Sequence, residues 1–78
     1  MKLSTSIVVL PLSNFADEPV YFVDGLTDAL ISALARIQGV RVISRQSAMH
    51  YKDSKKLLPE IAQELGVDFV VEGSVTRS

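Results

Sequence analysis

The sequence predicts a small α/β domain whose elements alternate as βαβαβ, with parallel strands in the spatial order 2-1-3. Two continuous runs of β-branched and aliphatic residues, Ile7–Leu12 and Val67–Val75, are typical of strands buried on both faces. A more polar strand lies between them, and stretches with helical spacing separate the three strands. Connections of this length imply parallel neighbours, and we expect the two helices on opposite faces of the sheet.

Two strands are expected to be interrupted. Pro11 cannot donate to a central ladder, so strand pairing should end or bulge there. The stretch Ser13–Glu18 that follows is predicted to be a loop by its composition. Gly73 predicts a bulge in the last strand.

The first helix is predicted from Pro19 to Gln38, although Gly25 lies within it. A glycine in a helix interior costs roughly 1 kcal/mol relative to alanine. In one interpretation Gly25, Ala29 and Ala33 form a row that lets the helix lie close to the sheet, which offsets this cost. In the other, Asp24 is the N-cap of a helix that begins at Gly25.

The second half of the chain contains the remaining elements. Alternation with two arginines predicts that Val40–Arg45 is an edge strand. The stretch Gln46–Lys56 is polar and predicted to be irregular. Leu57–Leu65 has the apolar stripe of a short helix, with Pro59 at its start and Gly66 as its stop signal.

Composition limits the function classes. The 78 residues are 47% apolar and 22% charged, which is typical of one small globular domain. There is no cysteine, so disulfides and thiolate metal sites are excluded. The net charge of −1 points to neither nucleic acid nor membrane. The amino-terminal apolar run is too short for a secretory signal or a spanning helix, so no membrane segment is expected.

A cluster of carboxylates surrounds the start of the first helix. Together with the absence of a glycine-rich phosphate loop it argues against a nucleotide site, since the carboxylates would repel phosphate. The cluster consists of Asp17, Glu18, Asp24 and Asp28. Asp24 and Asp28 lie one helical turn apart, which fits either a metal or acid–base pair or simply solvated carboxylates. No catalytic residue, cofactor or metal is expected here.

His50 is the only histidine. Ser44, Ser47 and Asp53 are near it in sequence, but members of a catalytic triad normally come from separate elements. We therefore expect a surface histidine.

The segment 41–56 is basic. It contains five cations and a single carboxylate, that of Asp53, so its net charge is +4. The cations are Arg41, Arg45, Lys52, Lys55 and Lys56. The segment predicts either an anion or nucleic-acid site or a solvated face, and no recognised DNA-reading motif is present.

Three stretches together resemble the TolB amino-terminal-domain-like module of bacteria. They are SIVVLPLSNF, YFVDGLTDALISALARIQGVRVISRQSAMHYK and IAQELGVDFVVEGSVTRS, in the same order as in the family. The resemblance also includes Asp24-Gly25, Gly66 with Asp68, and Glu72-Gly73-Ser74. It implies structural roles for these residues: close helix packing, helix termination and a strand bulge.

The resemblance implies a three-layer α/β/α sandwich like the anticodon-binding domain, with a mixed sheet of five strands. This chain stops after the third strand, so we expect a fragment that lacks the last two strands and exposes the edge Phe69, Val70, Val71 and Glu72. Two copies are expected to pair there, or the fragment is expected to be oligomeric in another way. The resemblance further implies a non-catalytic interaction or sensory module of a multidomain protein that carries a nucleotide cyclase or winged-helix domain and tetratricopeptide repeats. Both cytoplasm and periplasm are compatible with it.

Overall fold

The computed structural model describes residues 4–77, which form short strands and helices in alternation. The strands are β1 (Thr5–Val9), β2 (Ser13–Asn14), β3 (Val40–Val42), β4 (Phe69–Val71) and β5 (Ser74–Val75). The helices are α1 (Val20–Ala35), α2 (Arg45–Met49) and α3 (Leu58–Leu65). Among these residues no helix has the length and apolar character needed to cross a bilayer.

The main sheet has the predicted parallel arrangement. Its order is β3-β1-β4, with Thr5 opposite Val40 and Ile7 opposite Phe69. The central strand β1 is fully buried at Val8 and Val9. The outer strands β3 and β4 are edges within the described chain, so the predicted order 2-1-3 is confirmed.

The predicted interruption at Pro11 is present, but the predicted bulge at Gly73 is wrong, because the extra residue of the pairing lies among residues 10–12, opposite residues 72–73. The β1–β4 ladder reaches Leu10, whose N–H donates to the Val71 carbonyl at 2.9 Å, and pairing then skips Pro11. It resumes where the Ser13 N–H donates to the Gly73 carbonyl at 3.1 Å, and β2 and β5 form a second parallel pair. The prediction of a loop throughout Ser13–Glu18 is therefore wrong for its first two residues.

The helices cover opposite faces of the sheet. Val8, Leu10 and Ala48 form a buried cluster with Ile61 of α3, and Val70 packs against it. Because side chains alternate along a strand, Val9 points to the other face, which α1 covers with its buried residues Val23 and Thr27.

The first helix is continuous from Val20, with Pro19 at its N-cap position, so the alternative start at Gly25 is wrong. The small-residue interpretation is wrong as well. Gly25, Ala29 and Ala33 are exposed, and apart from the neighbouring backbone of α1 no atom of residues 4–77 would lie within 4 Å of a Cβ at Gly25. Close packing against the sheet therefore does not offset the cost of this glycine.

The segment predicted to be irregular, Gln46–Lys56, begins inside a short helix. The Ser44 side chain caps α2 by accepting from the Ser47 N–H at 3.3 Å. Strand β3 ends at Val42 rather than Arg45, because this cap turns the chain into α2. The second predicted helix is confirmed as α3, and Gly66 ends it with a positive φ of 67°.

Candidate functional site

A cleft of about 520 Å³ opens at the carboxyl ends of β1 and β4. In α/β sheets this is where ligands bind when the connections of neighbouring strands leave in opposite directions. Its lining comes from the link between β1 and β2, the first turns of α1, the connection between α2 and α3, and the link between β4 and β5. The lining residues are Leu10, Pro11, Leu12, Ser13, Asn14, Phe15, Val20, Val23, Asp24, Tyr51, Lys52, Asp53, Ser54, Glu72 and Gly73.

Local hydrogen bonds fix the wall on the α1 side. The Asn14 side chain accepts from the Ala16 N–H at 3.3 Å and the Glu18 N–H at 3.2 Å, which folds the loop before α1. The buried Thr27 hydroxyl accepts from the Leu12 N–H at 3.2 Å. Thr27 thus holds the β1–β2 link against α1. Sequence reasoning missed it, although a threonine on the apolar face of an amphipathic helix is the pattern that indicates such a contact.

The predicted acidic cluster is divided between ion pairs. Arg45 lies between two of its members, with Nη2 3.3 Å from Asp24 and Nε 2.5 Å from Asp28. Glu18 contacts Arg77. Asp24 and Asp28 are therefore not simply solvated, because both form ion pairs with the guanidinium of Arg45. Among residues 4–77 no three His, Cys, Asp or Glu side chains form a group that could hold a metal.

His50 does not join the neighbouring residues in a triad. It is exposed at the C-cap of α2, whereas the hydroxyl of Ser44 donates to that of Ser47 at 3.2 Å. Asp53 lies in the next turn, with a positive φ of 59°. The expected surface histidine is confirmed.

Two of the five basic residues of the segment 41–56 are held in ion pairs. Arg45 binds the carboxylates of α1, and Lys56 Nζ lies 2.5 Å from a Glu64 oxygen. Arg41, Lys52 and Lys55 are exposed, but they lie on different elements: β3 and the connection between α2 and α3. The five cations therefore do not act as one free patch.

Glu64 is the centre of a small surface network. It accepts from Lys56 and from the Tyr51 hydroxyl, the latter at 2.8 Å, and Lys56 Nζ lies 6.0 Å from the Tyr51 ring centroid. These hydrogen bonds, that of Lys56 first, lower the pKa of Glu64. The hydrogen bond with Glu64 in turn raises the pKa of Lys56 and that of Tyr51. The network links α3 to the connection that lines the cleft.

The outer edge of β4 is open within the described chain. Val71 directs its carbonyl at β1, so in a parallel ladder the backbone groups of Val70 point away from β1. Phe69 lies on the α1 face and is 59% exposed. Val70 and Val71 are half-buried, and Glu72 is exposed at the mouth of the cleft. The structure thus places the four predicted edge residues together.

One flank of α1 extends this open edge. The flank with Asp24 and Asp28 faces Arg45 beside β3, so the opposite flank lies toward β4. That flank carries Phe22 and Leu26, which are 46% and 38% exposed. We call the outer edge of β4 together with Phe22, Leu26 and Phe69 the edge surface.

Comparison with known proteins places this chain beside a small part of a larger one. It is 41% identical over 75 residues, 94% of its length, to the protein named "Putative adenylate cyclase 3" of Rhizobium meliloti (strain 1021). The chain spans only 13% of that relative. No family model matches the chain, and no solved structure matches it.

Proposed function

We propose that this chain is a non-catalytic interaction or sensory module of a multidomain bacterial signalling or regulatory protein, one that carries its cyclase chemistry elsewhere. The similarity to a short segment of a protein named as an adenylate cyclase supports such a context. The resemblance to the TolB amino-terminal-domain-like module supports the same assignment. The observation that carries the interaction role is the open, apolar edge surface.

An open edge strand is a template for pairing, and proteins usually blunt it with charge, proline or a covering element. The strand β4 carries none of these: its residues are phenylalanine and two valines. Its companion flank on α1 is apolar as well. A second copy of this chain is the occupant that we propose, because two β4 edges can exchange backbone hydrogen bonds around a two-fold axis.

The exposed area sets the expected strength of this dimer. At 59% and 46% exposure, Phe69 and Phe22 leave about 200 Å² of ring surface open per copy, taking about 200 Å² for a whole side chain. Two copies would cover about 400 Å² of ring surface, below the roughly 1,000 Å² of a stable interface. Strand pairing and Leu26 must supply the rest. We therefore expect a weak dimer, with a dissociation constant of about 0.1–1 mM.

Sedimentation velocity of matched variants tests the surface. Phe69→Lys places a charge on the edge and should leave the chain monomeric, whereas the wild type should shift toward a dimer as concentration rises. Leu57→Lys is the control, because Leu57 is 67% exposed but precedes α3 on the other face. Circular dichroism verifies that both variants fold. Equal association of the two variants, or a wild type that stays monomeric to about 1 mM, would contradict the proposal.

The non-catalytic part of the proposal has its own test. Chain at about 0.1 mM, incubated with ATP and Mg²⁺ or Mn²⁺, should form no cyclic AMP, because the carboxylates at the start of α1 are engaged by Arg45. Formation of cyclic AMP that is lost in an Asp24→Asn variant would overturn it.

A further inference from the structure

We infer that the cleft at the carboxyl ends of β1 and β4 binds a small organic cation with an apolar body. The cleft is of the right size, since ligand pockets occupy about 300–1,000 Å³ and this one has about 520 Å³. Two independent features of its lining define the ligand: an apolar floor and an unbalanced pair of carboxylates at the rim.

The floor is apolar and preformed. Leu10 and Val23 are buried beneath the cleft, held by the sheet on one side and by α1 on the other. Val20 and Phe15 stand at its wall and leave most of their surface exposed. An apolar ligand body would cover these side chains and remove their surface from water, which is the main source of affinity in such pockets.

The rim is acidic. Asp53 comes from the connection between α2 and α3, and Glu72 comes from the link between β4 and β5. Within residues 4–77 neither side chain has a hydrogen bond or an ion pair, while Asp24 is shared with Arg45. Among residues 4–77, Lys52 is the one cation in the lining, so the charge balance of the cleft disfavours an anion and favours a cation.

The cation is organic rather than a metal ion. The carboxylates of the cleft do not form a three-ligand group within the described chain. A metal would also leave the apolar floor uncovered. An ammonium group at the rim, carried on an aromatic or aliphatic body that fills the floor, uses both features at once.

Three probes of similar size and different charge test this inference: 2-phenylethylammonium, 2-phenylethanol and phenylacetate. We expect saturable amide shifts of Val23 and Glu72 in NMR spectra with the ammonium probe. Its affinity should exceed that of the neutral and anionic probes by at least about tenfold. Equal affinity for all three probes, or no saturation by about 10 mM ammonium probe, would overturn the inference.

Rim variants test the assignment of the charge. Glu72→Gln and Asp53→Asn should each weaken binding of the ammonium probe about threefold or more and leave the alcohol unchanged. Asparagine tolerates the positive φ of Asp53, so this variant keeps the turn. Glu60→Gln, on the exposed start of α3, is the matched control. Rim variants that bind like this control would overturn the assignment.

This inference is independent of the dimer. Binding is measured at about 50 µM protein, below the expected dissociation constant of the edge surface, so most chains are monomeric. Loss of association in Phe69→Lys together with normal probe binding would separate the two proposals.

Discussion

Ser6 and Asp68 hold the beginnings of β1 and β4 together through reciprocal hydrogen bonds. The Ser6 N–H and hydroxyl donate to the Asp68 carboxylate at 2.8 and 3.1 Å, and the Asp68 N–H donates to the Ser6 carbonyl at 2.9 Å and to its hydroxyl oxygen at 3.1 Å. Ser6 is buried. Asp68 therefore satisfies a buried donor and fixes the register of the two strands.

Removing this carboxylate should be costly. We expect Asp68→Ala to lower the free energy of unfolding by about 1–3 kcal/mol, because the buried Ser6 N–H loses its partner. Urea denaturation measures the loss. Glu72→Ala is the control and should stay within about 0.5 kcal/mol of wild type, since Glu72 is exposed and has no such contact in residues 4–77. A similar loss in both variants would contradict this role of Asp68.

The glycine inside α1 should be replaceable. A Cβ at Gly25 meets no neighbour within 4 Å, and φ is not positive there. We therefore expect Gly25→Ala to stabilise the chain by about 0.5–1 kcal/mol, as the change in helix propensity predicts. Gly66→Ala is the contrasting variant. Its φ of 67° is strained for alanine, so it should destabilise by about 1 kcal/mol. Destabilisation by Gly25→Ala would show that this position packs closely after all.

Arg45 should contribute to stability through its two carboxylates. The side chains of Arg45 and Asp24 are 39% and 28% exposed, so the pair is only partly screened by solvent. We expect Arg45→Gln to cost about 0.5–1 kcal/mol in the free energy of unfolding. A double-mutant cycle with Asp28→Asn isolates the coupling. Arg41→Gln, on the exposed strand β3, should change little. A coupling energy of zero would contradict the contact.

The Glu64 network should have a defined pH window. The folded-state pKa of Glu64 is lowered, so its contribution is fully present above the unfolded pKa of about 4.3 and is lost as pH falls through the folded value. The pKa values of Lys56 and Tyr51 are raised. Their contribution to stability is therefore present below about pH 10 and is lost as pH rises further. The stability difference between wild type and Glu64→Gln should vanish at low pH. A difference that is independent of pH would contradict this.

The sequence was a good guide to the fold because the strongest signals were local. The aliphatic runs at Ile7–Leu12 and Val67–Val75 and the αL glycine after α3 determine the strands and helix end that the structure has. The row of small residues on α1 led to the wrong prediction that this row packs against the sheet. Spacing shows which residues share a face of a helix but not which face the sheet contacts. The start of α2 depends on the cap formed by Ser44. This cap was not recognised in the sequence because Ser44 is followed by a polar segment.

The candidate site was only partly visible in the sequence. The edge residues Phe69–Val71 were apparent as an apolar run, and the structure places them on an open edge. The cleft was not visible in the sequence, because Val23, Asp53 and Glu72 are far apart along the chain and only the fold brings them to one cleft. The ion pairs of Arg45 were equally hidden, because their partners lie on a helix about twenty residues earlier, and tertiary packing brings the two elements together.

Hydrogen exchange of the Val70 amide at increasing protein concentration reports directly on whether two β4 edges pair. The Val70 N–H points away from β1, so in the monomer it should exchange quickly, and pairing of two β4 edges should protect it. Between about 20 µM and 2 mM we expect its protection to rise several-fold, with no such change at the buried Val8 amide and none for Val70 in Phe69→Lys. If Val70 exchanges at the same rate at every concentration, the β4 edge does not pair, and the edge surface is not an interface between copies of this chain.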